Sequence, residues 1–363
     1  MIHDSDRRPS LDDEVRNVVA LCQEVQATEY ADLPLRTPEV RRTPAEWFRI
    51  VRRIPNDRAG MRTLRRLRRI SIEAGALPGA LEHYALLGAM QAAVVQVPAL
   101  PVDPSVKLQF CKIFALAAQP PQPLRHLLDC NVWGYHEIAQ TVGLMRFPAG
   151  QHHWVMAKAA RGALLKLRLR FAEIPRVAAA VLRDYGAFGP VAEIHLNMWR
   201  AKPQLMLKAE TCRSLHRLAR SMELQPHVRG VQGISWLHSK SVADVSPHLT
   251  WAREFFVENG ALAAEMEVAH PGMGFLVGSA QRQRLFHAGR FKPRVGLLLW
   301  KRDDVLAWAR RHPEFADDGA ALAPPTEPRV ATVAAPGRAA PTVGITAKLM
   351  PQRFWRAPPA VEP

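Results

Sequence analysis

Val228-Arg229-Gly230-Val231-Gln232-Gly233-Ile234-Ser235-Trp236-Leu237-His238 decides the fold of this chain. Apolar residues alternate across a short run, and two glycines interrupt it. That pattern is a strand, with Gly230 and Gly233 allowing a bulge or the close approach of another group. The punctuation continues downstream. Asp244-Val245-Ser246-Pro247 is a helix start, with Ser246 as cap and Pro247 in the first turn. The helix carries Leu249, Ala252, Phe255 and Phe256 and stops at Asn259-Gly260. A strand follows over 263–269, in which Glu265 and Glu267 alternate with Met266 and Val268. Ser279 caps a helix over 280–288, and Gly289 closes it. Residues 295–300 form a continuous apolar strand suited to the inside of a sheet. Asp303-Asp304 starts a last helix, which Pro313 ends. Upstream, 191–198 alternates as a strand and 208–222 reads as a helix with Leu215, Leu218, Ala219 and Met222 on its apolar stripe.

Before residue 186 the expectation is almost entirely helical. Ser10 caps a helix over 11–27, and Thr43-Pro44-Ala45-Glu46 is a capping box. Asn56 and Asp57 start a helix that ends at Gly75, Pro78-Gly79 resets the chain, and Asp103-Pro104 caps the next helix. Amphipathic helices are expected over 153–171 and from Pro175 to Tyr185. After residue 315 alanine and proline dominate, which reads as a disordered tail. The organisation is therefore a helical region over 1–185 with an Arg-rich helix, an α/β domain over 186–315 and a tail over 316–363. The fold class is α/β, a mixed sheet with flanking helices preceded by a mainly helical region.

Composition bounds the function. The chain has 363 residues and 48% hydrophobic residues, ample for a core, and a formal charge of +16. Such a charge favours phosphate-bearing partners: nucleic acid, an anionic membrane face or a nucleotide cofactor. The four cysteines Cys22, Cys111, Cys130 and Cys212 are scattered, no secretory leader precedes them, and no apolar run is long enough to span a bilayer. Four reduced thiols in a cytoplasmic protein are expected. The fourteen histidines contain no metal-ligand spacing, and no Walker, Rossmann or Gly-x-Ser-x-Gly motif occurs. The basic residues concentrate at Arg49, Arg52, Arg53, Arg58, Arg62, Arg65, Arg66, Arg68 and Arg69. On a helix Arg62, Arg65, Arg66 and Arg69 share one side, either a solvated face or a site for an anionic partner.

Over 228–300 the order of elements resembles the second half of the GNAT-type, acyl-CoA-dependent N-acyltransferases. The corresponding residues are Gly233 to Leu237, Val245-Ser246-Pro247, the helix ending at Gly260, the strand from Ala263, Ser279, Leu285-Phe286, Gly289 with Phe291, and the strand to Trp300. The resemblance implies transfer of an acyl group from a CoA-type thioester to an amine, with no metal. It also implies two neighbouring strands beyond Tyr185 that splay to admit a thioester arm. Two departures stand against activity and leave a degenerate member as the other branch. Where the family has a glycine-rich loop whose amides hold the pyrophosphate at a helix N-terminus, this chain has Pro247-His248-Leu249-Thr250-Trp251-Ala252-Arg253. Where the family has a tyrosine as general acid, it has Phe286, which has no proton to give.

Acyl transfer needs a base for the amine and a donor for the carbonyl oxygen. His238, at the end of the central strand, is the first candidate base because histidine ordinarily titrates near neutrality. Glu267 on the next strand is the second, and His287 is the replacement acid. Ser235, Trp236, His248 and Arg253 are the cofactor-side candidates. Each has a plainer role: a loop histidine, a solvated strand carboxylate, a strand end, a core indole. A non-enzymatic basic protein that binds nucleic acid or an acidic partner through 49–69 is the alternative.

Overall fold

Helices begin where a side chain can accept from free backbone amides. In the computed structural model, which describes residues 9–33, 37–54, 58–76, 79–119, 132–165, 169–196, 207–268 and 279–317 (backbone alone at 38–39, 58–61, 132–134 and 267–268), the first helix α1 is Leu11–Thr28. Ser10 accepts from the Asp13 amide and Asp13 reaches back, closing a capping box. Helix α2, Pro44–Arg53, starts with the box from Thr43 and Glu46. Such caps stabilise by roughly 1 kcal/mol each. Then come α3, Arg58–Glu73, and α4, Ala80–Val94. Helix α5, Pro104–Ala118, is capped by Asp103, and α6 is Val132–Val142. Helix α4 is apolar on all sides and its Leu81, Leu86, Leu87 and Met90 are buried, so it forms the centre of the helical layer.

The helix expected over 153–171 does not form over 153–158. The chain makes strand β1, Arg146–Pro148, and strand β2, His152–Lys158, followed by a short helix α7, Arg161–Leu165. Met156-Ala157-Lys158 favours a helix locally. Pairing to a distant strand overrides that preference: His153 lies opposite His195 and Trp154 opposite Ile194. The sheet thus takes two strands from upstream of residue 186. Helix α8, Ile174–Asp184, leads to β3, Pro190–Leu196. Helix α9, Lys208–Glu223, leads to β4, Gly230–Ser235. Then come α10, Val242–Val245, α11, Trp251–Glu258, β5, Leu262–Val268, α12, Ala280–His287, β6, Arg294–Lys301, and α13, Arg302–Arg311.

The sheet is mixed and six-stranded among the described residues, in the order β1-β2-β3-β4-β6-β5. Its ladders are antiparallel except β3 with β4, which run parallel with α9 in the crossover. Alternate residues face opposite layers. Ala192, Ile194, Val231, Leu298 and Trp300 join the core with Leu215 and Leu218 of α9, Phe255 and Phe256 of α11 and Trp308 of α13. Val191, Leu297, Leu299 and Ala264 face the other way, against Val177 and Val181 of α8. An α/β fold with a mixed sheet and flanking helices is therefore observed.

Two arginines tie the first layer down. Arg217, almost wholly buried on α9, donates from Nε and Nη2 to Asp317 and from Nη1 to the Ala149 carbonyl. Arg302 donates to the carbonyls of Met222, Gln225 and Val228, closing the end of α9. Cys22, Cys111 and Cys212 are free and buried, and burial pushes the Cys22 and Cys111 thiols up to about 12. No described helix is long and apolar enough to cross a membrane. Of the expected tail over 316–363, Ala316 and Asp317 are described, Asp317 paired with Arg217, and residues 318–363 lie outside the described residues.

Candidate functional site

The parallel ladder ends before its two strands do, leaving an opening in the hydrogen bonding at their carboxyl ends. Strands β3 and β4 are in register at Ala192–Val231, Glu193–Gln232 and Ile194–Gly233, and at no residue beyond. Yet β3 runs on to Leu196 and β4 to Ser235. In sheets with parallel strands, crevices outside the strands' carboxyl ends are where ligands bind. After Ser235 the chain leaves the ladder in a tight turn, Trp236–His238, and the Ser235 hydroxyl accepts from the Leu237 amide. The turn folds back onto its own sheet because two glycines make room. A β-carbon at Gly233 would lie 2.9 Å from His238 Nε2, and one at Gly296 would lie 2.3 Å from the His238 carbonyl. Glu265 fixes the next residues by accepting from Ser239 Oγ and the Lys240 amide, both at 2.8 Å.

On one face of the opening stands a carboxylate–imidazole pair. Glu193 and His195 are two residues apart on β3, so both point the same way. His195 Nε2 is 3.2 Å from Glu193 Oε1. Gln232, opposite Glu193, donates to the other carboxylate oxygen at 2.5 Å and accepts from the Ala160 amide at 2.6 Å. Ala160 has a φ of 49°, a left-handed conformation that costs an alanine roughly 1 kcal/mol. Burial works to raise the Glu193 carboxyl, but the hydrogen bonds from His195 and Gln232 outweigh it and hold the group below the usual carboxylate value. His195 is about one-third exposed, its side chain at 36%. Its ring stacks on that of His153, centroids 5.4 Å apart and planes 17° from parallel.

Three buried imidazoles surround the opening. His152 Nδ1, His153 Nε2 and His238 Nδ1 have no hydrogen-bond partner among the described residues. Burial pushes His152 down to about 4 and His238 to about 3, and neighbouring positive groups add to it. His153 is held well below its usual value by burial and then by Arg146, His195 and His152. All three are neutral at pH 7. No group of residues suited to holding a metal ion occurs among the described residues.

The residues singled out from sequence are dispersed by this geometry. His238 does sit at the opening, edge-on to Phe256 at 5.7 Å, but it does not titrate near neutrality as expected of it. Arg253 on α11 adds to the lowering of His238, and its Nε is buried without a partner among the described residues. Ser235 is engaged in the turn, and Trp236 is buried with the Arg282 guanidinium 5.0 Å over its ring. Ser246 does not cap: its hydroxyl accepts from Arg282 Nη1 at 2.9 Å. His248 is exposed on the turn Pro247–Leu249, and His287 is exposed at the end of α12 against Phe286. The Glu267 side chain lies outside the described residues, and it is Glu265 that reaches the segment after His238. The helix between the parallel strands is α9, not α11, so 247–253 does not occupy the crossover. The residues just before α9, 197–206, lie outside the described residues.

Glu193, His195, Gln232 and His153 were missed. The signal was present: Glu-x-His on an alternating strand puts base and carboxylate on one face.

No protein-family model matches the chain, and no curated protein matches its sequence. Among solved structures it is similar to an acyltransferase in complex with CoA and 10C-teicoplanin, at 14% identity and a TM-score of 0.46, over 81% of this chain and 89% of that one. It is also similar to an acyltransferase in complex with decanoyl-CoA, at 13% identity and a TM-score of 0.47, over 81% and 89%. A third, an acyltransferase in complex with decanoyl-CoA and teicoplanin, is 15% identical with a TM-score of 0.46, over 81% and 90%.

Proposed function

We propose that this protein is a cytoplasmic acyltransferase of GNAT type that moves an acyl group from a CoA thioester to an amine, with His195 as the base. The observation that carries this is the Glu193–His195 pair, braced by Gln232, at the point where the one parallel strand pair of the described sheet opens. Opened parallel strands are what the sequence resemblance implies for a thioester arm. A histidine whose other nitrogen is held by a carboxylate is the arrangement general-base chemistry uses.

The steps balance without a further reagent. The amine nitrogen attacks the thioester carbonyl carbon as His195 takes an amine proton through the ring nitrogen not facing Glu193. Glu193 stabilises the imidazolium that forms. The C–N bond persists, the C–S bond breaks, and the imidazolium returns its proton to the departing sulfur. That return makes Phe286 tolerable where a tyrosine acid was expected. His153 stacks beneath His195 and fixes its plane.

Octanoyl-CoA turnover against a panel of primary amines, read as released thiol, tests the proposal together with thermal shift. Stabilisation at millimolar octanoyl-CoA is expected. No stabilisation and no amine-dependent thiol release with any member of the panel overturns it.

A non-enzymatic role through the basic helix is the second possibility. Arg62, Arg65, Arg66 and Arg69 are all exposed on α3, while Leu67 behind them is buried. Binding to DNA or RNA that weakens steeply with salt supports it, and no binding at low salt removes it.

A further inference from the structure

The opening between β3 and β4 has a second, differently built side. His152 lies opposite Leu196, the last residue of β3, and its neighbour His153 pairs with His195. Successive residues of a strand point to opposite faces, so His152 is on the face away from the Glu193–His195 pair. His238 is on that same face, because it lies over Gly233, which alternates with Gln232. Both rings are more than nine-tenths buried, 8% and 9% exposed, and each leaves Nδ1 without a partner among the described residues. A buried polar atom without a partner costs about 1–3 kcal/mol, so its retention calls for an explanation such as an absent ligand.

The chemistry of that ligand follows from the groups. Both imidazoles are uncharged at pH 7. The rings themselves offer a phosphate no charge, and the cation that bears on them is Arg253, beside His238. Neutral His238 gives its one proton to the Ala252 carbonyl, so its open Nδ1 accepts, whereas His152 can carry its proton on the open Nδ1 and donate; the two together suit an uncharged group with a carbonyl oxygen and an amide N–H close together. The thioester end of an acylated pantetheine arm has both.

We propose that His152 and His238 hold the thioester end of the acyl donor from the face of the sheet opposite the base, His152 donating to the carbonyl oxygen and His238 accepting from the neighbouring amide N–H. This rests on the acyltransferase reading and assigns within it the group that polarises the carbonyl. Donor and amine then meet from opposite faces across the gap, and His152 supports the oxyanion while His195 removes the proton.

The test uses the full chain and octanoyl-CoA carrying carbon-13 at the thioester carbonyl. Calorimetry reads binding, and difference infrared reads the carbonyl stretch. The carbonyl band is expected to move to lower frequency on binding to the wild-type protein and to His195→Ala. In His152→Phe that movement is expected to shrink, with kcat lower by about 10²–10³-fold and KM for octanoyl-CoA little changed, while in His238→Phe KM is expected to rise several-fold. Should either phenylalanine variant fail to fold, nitrogen-15 spectra of the wild-type imidazoles serve instead. The His152 resonances are expected to shift with octanoyl-CoA and to stay in place with CoA, which has no carbonyl at sulfur. Binding with an unmoved carbonyl band, or imidazole shifts identical for CoA and octanoyl-CoA, overturns this assignment and leaves the acyltransferase proposal standing. Failure of octanoyl-CoA to bind at all overturns both.

Discussion

His83 in the helical layer and His152 at the sheet opening are both buried but differently served. His83 Nδ1 meets the Tyr30 hydroxyl at 2.6 Å and Nε2 meets the Ala117 carbonyl at 3.0 Å, so both ring nitrogens are used. His152, His153 and His238 each keep one nitrogen without a partner among the described residues. Burial depresses all four. Burial alone therefore does not separate a structural histidine from a ligand-ready one; hydrogen-bond satisfaction does. His83 fastens α4 to α5 and to the end of α1. The three at the opening are tied less fully, His238 by one bond to the Ala252 carbonyl, and they gather where two strands part.

The comparison breaks most visibly at the exposed member of the cluster. His195→Ala should lower kcat by about 10²–10⁴-fold while the melting temperature stays within a few degrees, because His195 makes no bond the fold depends on. Octanoyl-CoA kinetics beside calorimetric melting checks both halves. A variant with undiminished turnover removes His195 as the base.

Acid comes next. A histidine whose folded-state pKa lies below its unfolded value of about 6.5 leaves the unfolded chain binding more protons between the two values. Stability is then fully present above about pH 6.5 and falls as pH drops towards 4 for His152 and 3 for His238. For His152 the loss is ~3 kcal/mol. Glu193 and Asp317, both held below their usual values, push the same way at lower pH. Urea midpoints should fall steeply between pH 7 and pH 4, and His152→Phe should flatten part of that slope. An unchanged slope in that variant would show that His152 charges freely in the folded protein.

Substitution of the satisfied histidine has a smaller effect, on stability alone. His83→Phe strands the Tyr30 hydroxyl and the Ala117 carbonyl and should cost about 1–3 kcal/mol, leaving octanoyl-CoA affinity unchanged. His153→Phe sharpens the contrast. It keeps a flat ring against His195 and deletes a buried nitrogen that has no partner among the described residues, so stability should remain within about 1 kcal/mol of wild type. Denaturant titrations of the two variants side by side would invert the comparison if His153→Phe proved the more damaging.

Legibility followed the range of the interactions. Ser10, Thr43, Asp103 and Ser279 announce helices because a cap and its amide are three residues apart or fewer. Strands at 230–235, 262–268 and 294–301 were legible because glycine, asparagine and proline bracket them. Strand β2 was hidden: His152, His153 and Trp154 are buried in succession, so its start shows no alternation, and its second half is composed of helix formers. Ser246 carries the letters of a cap and serves Arg282 instead, a partner 36 residues away.

By itself the sequence determined the alternation of strands with helices after residue 186, the helix starts and the place of Gly233 beneath another group, because each depends on neighbours along the chain. Tertiary structure decided that β2 is a strand, that β3 and β4 run parallel and part, and that His195, not His238, keeps access to water. The physical reason is that burial and strand pairing are set by residues tens of positions apart. Those same long-range contacts turn an ordinary histidine at 238 into a neutral one, and an unremarked Glu-x-His into a carboxylate-held imidazole.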